Sequence, residues 1–183
     1  NTSDRPGSTP MPTRARRGTV GGLVRALGPG VRHRWDEANS LLVAVEGRAP
    51  ENAAEAAVLA GSNLVAVEAG DGWELLQFRE ATLVGVGLWR LSGLLRGQQG
   101  TDEEAEAGAE VGAIVVFLGA GGLARARVGR EERGLSLLCR TGPSGAPPGG
   151  AGFAETTYVH RGLHHRPWRV AGLAADVVGE NRT

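Results

Sequence analysis

The stretch that decides the fold is WELLQFREATLVGVGLWRLSGLL, residues 73–95. Its apolar and β-branched residues come in short runs separated by Gly and charged residues, which is the pattern of strands joined in a hairpin. We expect two or three strands here, with turns near Arg79–Glu80 and Gly85–Gly87. Apolar residues occupy both alternating positions of the first strand, so we expect both of its faces to be buried.

Short apolar runs bounded by turn residues continue on both sides of this stretch. They are residues 19–27 and 41–46 before it and, after it, VGAIVVFLG, LARARV, LSLLCRTG, ETTYVHRGL and RPWRVAGL. The later runs recur about every ten residues, which is the spacing of a β-sandwich or barrel. The 30 glycines among 183 residues add many turns. The sequence therefore predicts a mainly β fold, a β-sandwich or barrel-like domain with short helices and Gly-rich loops.

Two segments depart from the strand pattern. Residues 50–61, PENAAEAAVLAG, are Ala-rich, begin with Pro and Glu and end in Gly, which predicts a short helix. Residues 97–110 carry five acidic residues and no apolar period. They predict either an exposed loop or a short acidic helix.

Composition also indicates how the chain is divided. Residues 1–17 combine Pro, Ser, Thr and Arg without an apolar period, which indicates a linker or an extended arm that orders against a partner. Residues 18–175 are predicted to form the mainly β domain, with a division into two small subdomains near residues 97–110 as an alternative. Both ends look cut from a longer polypeptide, so residues 176–183 are predicted to begin a following segment.

The charge composition argues against several kinds of partner. Twenty Arg residues, with no Lys, balance 20 acidic residues. No net field draws the chain to nucleic acid, so sequence-specific nucleic-acid binding is not expected. The exclusive use of Arg fits either bidentate contacts with carboxylates and phosphates or a GC-rich genome. No run approaches the about 18 apolar residues of a membrane span, so no transmembrane segment is predicted.

Residues suited to metal binding or nucleophilic chemistry are few. His160, His164 and His165 lie within six residues of one another, and imidazole together with the Cys139 thiolate suits a transition metal. Their spacing matches no standard zinc motif, so surface histidines and no metal site are expected. Cys139 lies in the apolar run LSLLCR and is predicted to be a small core residue, not a nucleophile.

Catalytic carboxylates and phosphate loops are not indicated either. Glu74, Glu80 and Glu155 would be paired only by the fold, and we expect each to be a surface residue. The glycine runs GAGG and GPSGAPPGG lack the Lys-Ser/Thr ending of a phosphate loop. We therefore predict no catalytic residue, no cofactor and no enzymatic activity.

The four tryptophans are the large candidate anchors, because aromatic rings stack on sugars or bury at interfaces. Trp73 and Trp89 are expected in the core. Trp35 and Trp168 are the candidates for contact between subunits.

Four motifs make the chain resemble a known family. They are the WEL-QF opening and the WRLSGLLRGQ-GT run within residues 73–101, RGLSLLCRTGPSG at residues 133–145, and FAETTYVHRGLHHRPW at residues 153–168. Through them, residues 41–175 resemble the C-terminal region of the gene transfer agent host-specificity protein, a tail-tip protein also called the megatron. None of that family's upstream TIM-barrel-like domain is visible here, so no catalytic residue is carried over.

The resemblance implies a structural part in a phage-type tail baseplate, in a virion-like particle assembled in the bacterial cytoplasm and released from the cell. It implies a homotrimer between hub and distal tail proteins and the tail fibres that meet the host. Arg90 and Arg96 flank the RLSGLLRG turn and are candidate partners for carboxylates, in cis or across an interface. The acidic segment at residues 97–110 is expected to contact a neighbour.

A carbohydrate-binding module is the alternative function. Exposed Trp35, Trp168 or Tyr158 would then recognise capsule or cell-wall polysaccharide of the host. An open aromatic groove favours this alternative, whereas burial of the rings beneath another chain favours the structural role.

Overall fold

The fold is mainly β, as the turn-rich sequence predicts. The computed structural model describes residues 18–118, 128–143 and 150–165. The described strands are β1 Thr19–Leu23, β2 Leu41–Glu46, β3 Leu64–Ala69, β4 Gly72–Gly85, β5 Leu88–Leu95, β6 Ile114–Phe117, β7 Ser136–Thr141 and β8 Ala154–Val159. The helices are α1 Glu55–Leu59 and α2 Asp102–Ala107, with short 3-10 turns at Gln98–Gly100, Arg130–Glu132 and Leu163–His165.

The first six strands close into an antiparallel barrel. Their order is β1-β2-β5-β4-β3-β6, and β6 returns to pair with β1. Of the two architectures that the strand spacing allows, the barrel is therefore the one that forms. Closure pairs backbone groups that an open sheet leaves on its edges. β7 and β8 pair with each other in a separate two-stranded sheet.

Inward-facing residues of the six strands fill the barrel. β6 shows the alternation, because Val115 and Phe117 are buried while Ile114 is exposed. Phe78 and Phe117 meet edge to face, with 6.3 Å between their ring centroids. The core consists of Leu23, Leu27, Leu41, Val43, Val65, Val67, Ala69, Leu76, Phe78, Leu91, Leu94, Ala109, Val115 and Phe117.

The turn predicted near Arg79–Glu80 is wrong, because β4 continues unbroken from Gly72 to Gly85. The charged pair lies within the strand, and the segment before α1 hydrogen-bonds to the backbone there. The Ala53 N–H donates to the Arg79 carbonyl at 2.9 Å. The turn predicted at Gly85–Gly87 is confirmed by the register of the β4–β5 hairpin.

Three predictions of burial or exposure are also wrong. Trp73 is 43% exposed, since the alternate residues of β4 fill the one interior that a barrel has. Glu74, expected at the surface, is one of these buried residues. Cys139 is exposed, since no second layer covers the β7–β8 sheet within the described residues. Trp89 packs against the core, partly buried, in agreement with its prediction.

Both departures from the strand pattern contain helices. α1 occupies the middle of the predicted helical segment, and α2 confirms the short acidic helix among the two alternatives for residues 97–110. Those residues connect β5 to β6 of the same barrel. The predicted arm at residues 1–17 and the predicted following segment at residues 176–183 lie outside the described residues. No helix in the described parts is long and apolar enough to cross a membrane.

Two 3-10 turns attach the β7–β8 sheet to the barrel. The turn Leu163–His165 packs against the turn Gln98–Gly100. Gly100 has a φ of +84°, and a Cβ added there would overlap the Leu163 carbonyl. Only glycine combines this backbone conformation with so close an approach.

Candidate interaction surfaces

In the β4–β5 hairpin, the β4 strand extends beyond its neighbour β3, whereas β2 pairs with β5 as far as Leu88. β3 pairs with β4 only as far as Gln77, so the rest of β4 has a strand partner on one side alone. At its end, Leu83 is 58% exposed, Val84 is 40% exposed and Val86 projects fully into solvent. These three residues, called the hairpin tip below, form an apolar surface that the barrel does not cover.

Arg90 follows the hairpin tip along β5. Its backbone lies opposite Leu42 of β2 and Thr82 of β4, and its side chain is exposed. Within the described ranges it makes no ion pair. Its predicted contact with a neighbouring chain stays a prediction, and its guanidinium is placed to make one.

Trp35 has a partner within the chain. The guanidinium carbon of Arg79 lies 4.7 Å from the centroid of the Trp35 ring, which is a cation–π contact. Arg79 also pairs with Glu37 at 2.9 Å and with Glu55 at 3.7 Å. Arg79 therefore covers part of the Trp35 ring. Trp168, the other tryptophan predicted at an interface, lies outside the described residues.

Arg96 lies inside the protein. Its side chain is completely buried and binds Glu74 through two hydrogen bonds, from Nε to Oε1 at 2.5 Å and from Nη2 to Oε2 at 2.8 Å. Nη1 lies 3.6 Å from Asp36 Oδ2 and donates to the Gly28 carbonyl at 3.2 Å. Of the two alternatives predicted for Arg96, the carboxylate partner in cis is the one that forms.

The buried ion cluster of Arg96, Glu74 and Asp36 joins three parts of the fold. Asp36 belongs to the connection between β1 and β2, where it accepts hydrogen bonds from the Asn39 backbone N–H at 3.1 Å and side-chain amide at 2.8 Å. Arg96 also donates to the Ala105 carbonyl of α2 at 3.4 Å. Because these bonds satisfy the buried charges, the cluster holds the connection and α2 against the barrel.

The other two carboxylates considered for catalysis have partners elsewhere. Glu80 accepts a hydrogen bond from the Ser92 hydroxyl at 3.3 Å. Glu155 pairs with Arg140 across the β7–β8 sheet at 2.6 Å. Each of these groups serves a local contact between neighbouring strands.

The three predicted surface histidines meet beside the β7–β8 sheet. The ring centroids of His160 and His164 are 5.5 Å apart, and those of His164 and His165 are 3.9 Å apart. They line a cleft of about 620 Å³, the basic cleft, together with Tyr158, Arg130 and Arg133. No group of side chains suited to hold a metal ion forms among the residues that the structure describes.

The matched region of a known family coincides with the barrel. Residues 18–116, more than half of the chain, match the family described as Rcc01698-like, C-terminal. The chain belongs to this family. No curated protein matches it. For this Rcc01698-like C-terminal domain, the matched range contains the hairpin tip, Arg90 and the buried ion cluster, whereas the β7–β8 sheet and the basic cleft follow it.

Two features of the chain escaped the sequence interpretation, one inside the matched domain and one after it. The buried ion cluster has one signal in the sequence: the acidic Glu74 lies on the same strand face as the apolar Leu76 and Phe78. Its partners are distant along the chain, so no spacing reveals the pairing. The basic cleft joins the Arg residues of REER, residues 130–133, to HRGLHH, residues 160–165, and only the tertiary fold brings them together.

Proposed function

We propose that the chain is a structural component of a phage-like, gene transfer agent tail baseplate, from the C-terminal region of the host-specificity (megatron) protein. In this role it helps to form the tail tip and links hub proteins to the fibres or to the host surface. The observation that carries the proposal is an uncovered apolar hairpin tip on a barrel that belongs to the Rcc01698-like family.

The hairpin tip is suited to a protein contact. Its three apolar side chains lie outside the barrel core, and exposed apolar residues grouped at one end of a hairpin are available to pack against another protein. Arg90 beside it provides a charge for a carboxylate of the partner. A rigid closed barrel holds both groups in a fixed direction, which favours assembly with defined geometry.

We further infer a homotrimer within a virion-like particle, with hub and distal tail proteins and fibres as neighbours. These partners follow from the resemblance of residues 41–175 to the tail-tip protein. The exposed acidic face of α2 offers a second surface of opposite charge to Arg90. Contacts between copies through these two surfaces would be specific and sensitive to salt.

Substitution of the hairpin tip tests this proposal. Leu83→Ser combined with Val86→Ser should lower incorporation of the chain into particles by about tenfold or more, because each buried apolar side chain contributes roughly 1.5–3 kcal/mol to a contact. Incorporation is measured by quantitative mass spectrometry of purified particles. The matched control is Val111→Ser, since Val111 is 64% exposed in the connection before β6. Normal incorporation of the double variant, or an equal loss in the control, would contradict the proposal.

Carbohydrate binding is the second candidate function. The observation that favours it is Tyr158, which is 49% exposed and lines the basic cleft. Trp35 favours it less, because Arg79 already occupies one side of its ring.

A further inference from the structure

The basic cleft collects positive charge. Among the described residues that line it, five have basic side chains and none is acidic; the five are Arg130, Arg133, His160, His164 and His165. Its volume of about 620 Å³ falls within the roughly 300–1,000 Å³ of small-molecule sites. Arginine side chains keep their charges at all physiological pH values, and such a group of basic side chains attracts anions.

The fold holds the arginines in place. The guanidinium of Arg133 lies over Gly162, where a Cβ would come within 2.7 Å of its Nε. Gly162 has a φ of +66°, so glycine leaves the room that this side chain occupies. The Gly134 N–H donates to the His160 carbonyl at 3.0 Å, which joins the arginine turn to the histidine segment.

The acidic residues of the same turn, Glu131 and Glu132, are not among the residues that line the cleft. Glu132 Oε2 accepts a hydrogen bond from the Gly129 N–H at 2.7 Å. The Glu131 carboxylate folds back over Gly129, at the edge of the cleft. Glu132 thus serves the backbone of the turn, and both arginines are among the residues that line the cleft.

The electrostatic state of His165 agrees with this arrangement. Its pKa lies below the ordinary histidine value, first because the imidazolium loses hydration and then because it faces the positive charges of His164, Arg133, Arg130 and His160. A bound anion would oppose each of these positive charges and stabilise the protonated ring.

We propose that the basic cleft binds an anionic saccharide, whose carboxylate or phosphate groups pair with Arg130, Arg133 and the imidazole N–H groups that line the cleft. Guanidinium groups bind both anions through paired hydrogen bonds. The exposed ring of Tyr158 supplies an apolar face on which a sugar ring stacks, which a simple anion does not need. This inference rests on the second candidate function, since it names the class of saccharide that the cleft would bind, and it does not depend on the structural role.

Calorimetric titration of the full chain tests the proposal. The probe is a tetrasaccharide of galacturonic acid, with its fully methyl-esterified form as the neutral control. Because the pKa of His165 is lowered by lost hydration and by its positive neighbours, and a bound anion favours its protonated form, the acidic probe should bind about tenfold more tightly at pH 5.5 than at pH 8. The neutral probe should not bind. Absence of binding at pH 5.5, or equal binding of the neutral probe, would overturn the proposal.

Two variants locate the site. Arg133→Gln should weaken binding of the acidic probe about tenfold, whereas Arg140→Gln, which removes the same charge from the neighbouring β7–β8 sheet, should leave it unchanged. Tyr158→Leu should weaken binding of the tetrasaccharide and leave binding of inorganic phosphate unaltered. In the unmodified chain, changes in the histidine NMR signals on addition of the probe measure binding directly. This measurement does not depend on whether a variant folds. Equal loss in the two Arg variants, or binding of inorganic phosphate with no binding of the tetrasaccharide, would refute an anionic saccharide site.

Discussion

Arg96 and Arg140 make similar ion pairs in different surroundings. Arg96 and Glu74 are both completely buried, whereas the side chains of Arg140 and Glu155 are about half exposed, at 49% and 51%. Removing one partner of a buried pair leaves a charge without compensation, but removing one partner of an exposed pair leaves a charge in water. The two pairs should therefore differ widely in their effect on stability.

Arg96→Met is expected to lower the free energy of unfolding by about 3–5 kcal/mol, because Glu74 and Asp36 would stay buried without their cation. Urea denaturation monitored by circular dichroism measures the change. Arg140→Met is the control and should cost at most about 1 kcal/mol. Similar losses in the two variants would show that Arg96 is not part of a buried ion cluster.

The titration of His165 gives a pH-dependent prediction. Its pKa should lie below about 6.5, and Arg133→Gln should raise it, because one of the repelling charges is removed. The chemical shift of its Cε1 proton, followed by NMR, measures this pKa. Since the unfolded chain binds this proton more readily, the contribution of His165 to stability is present above the unfolded pKa. It is lost as pH falls through the folded pKa. A pKa at or above 6.5 would contradict this environment.

Single-residue burial was the hardest property to predict. Trp73 and Cys139 belong to the apolar residue types that normally lie inside, and both are exposed. Strand alternation predicts which residues share a face of the sheet, but it does not predict which of the two faces is covered by another layer. The pairing of Arg96 with a carboxylate in cis was predicted as one alternative, because the residue type alone shows that a guanidinium can bind a carboxylate.

At the scale of elements, both helices and the other described strands lie where the local pattern predicts them, but β3 at Leu64–Ala69 was missed. The wrong turn near Arg79–Glu80 has a local cause. Charged residues normally end a strand, but β4 is hydrogen-bonded there by the segment before α1. The Gly85–Gly87 turn was predictable because glycine carries the positive φ that the turn requires. Gly87 has a φ of +66°.

Gly87→Ala isolates the cost of that backbone conformation. A Cβ at Gly87 has room, with the Val45 carbonyl oxygen 3.8 Å away, so the expected loss of roughly 1–2 kcal/mol comes from the left-handed φ alone. Gly22→Ala in β1 is the control, because its added Cβ meets nothing within 4 Å and its φ is not positive. Thermal unfolding compares the two variants. A smaller loss at Gly87 than at Gly22 would contradict the hairpin geometry.

At the scale of the whole molecule, the sequence predicted a mainly β fold but not the choice of a barrel over a sandwich. The barrel closes through pairs such as Gly21 with Val115, and such distant pairings leave no periodic trace in the sequence. The same limit applies to the basic cleft, whose two basic segments are brought together by the pairing of β7 with β8. The family match covers the barrel. The proposed place in a tail tip goes beyond the single chain, because it concerns an assembly of several chains.

A cryo-electron density map of intact particles, with this chain traced in place, tests that assembly most directly. We expect the barrels in a threefold ring at the tail tip, with Leu83, Val86 and Arg90 against a neighbouring chain and Arg96 enclosed within its own barrel. A chain that is absent from the tail tip, or one that projects freely with its hairpin tip in solvent, would contradict the structural role.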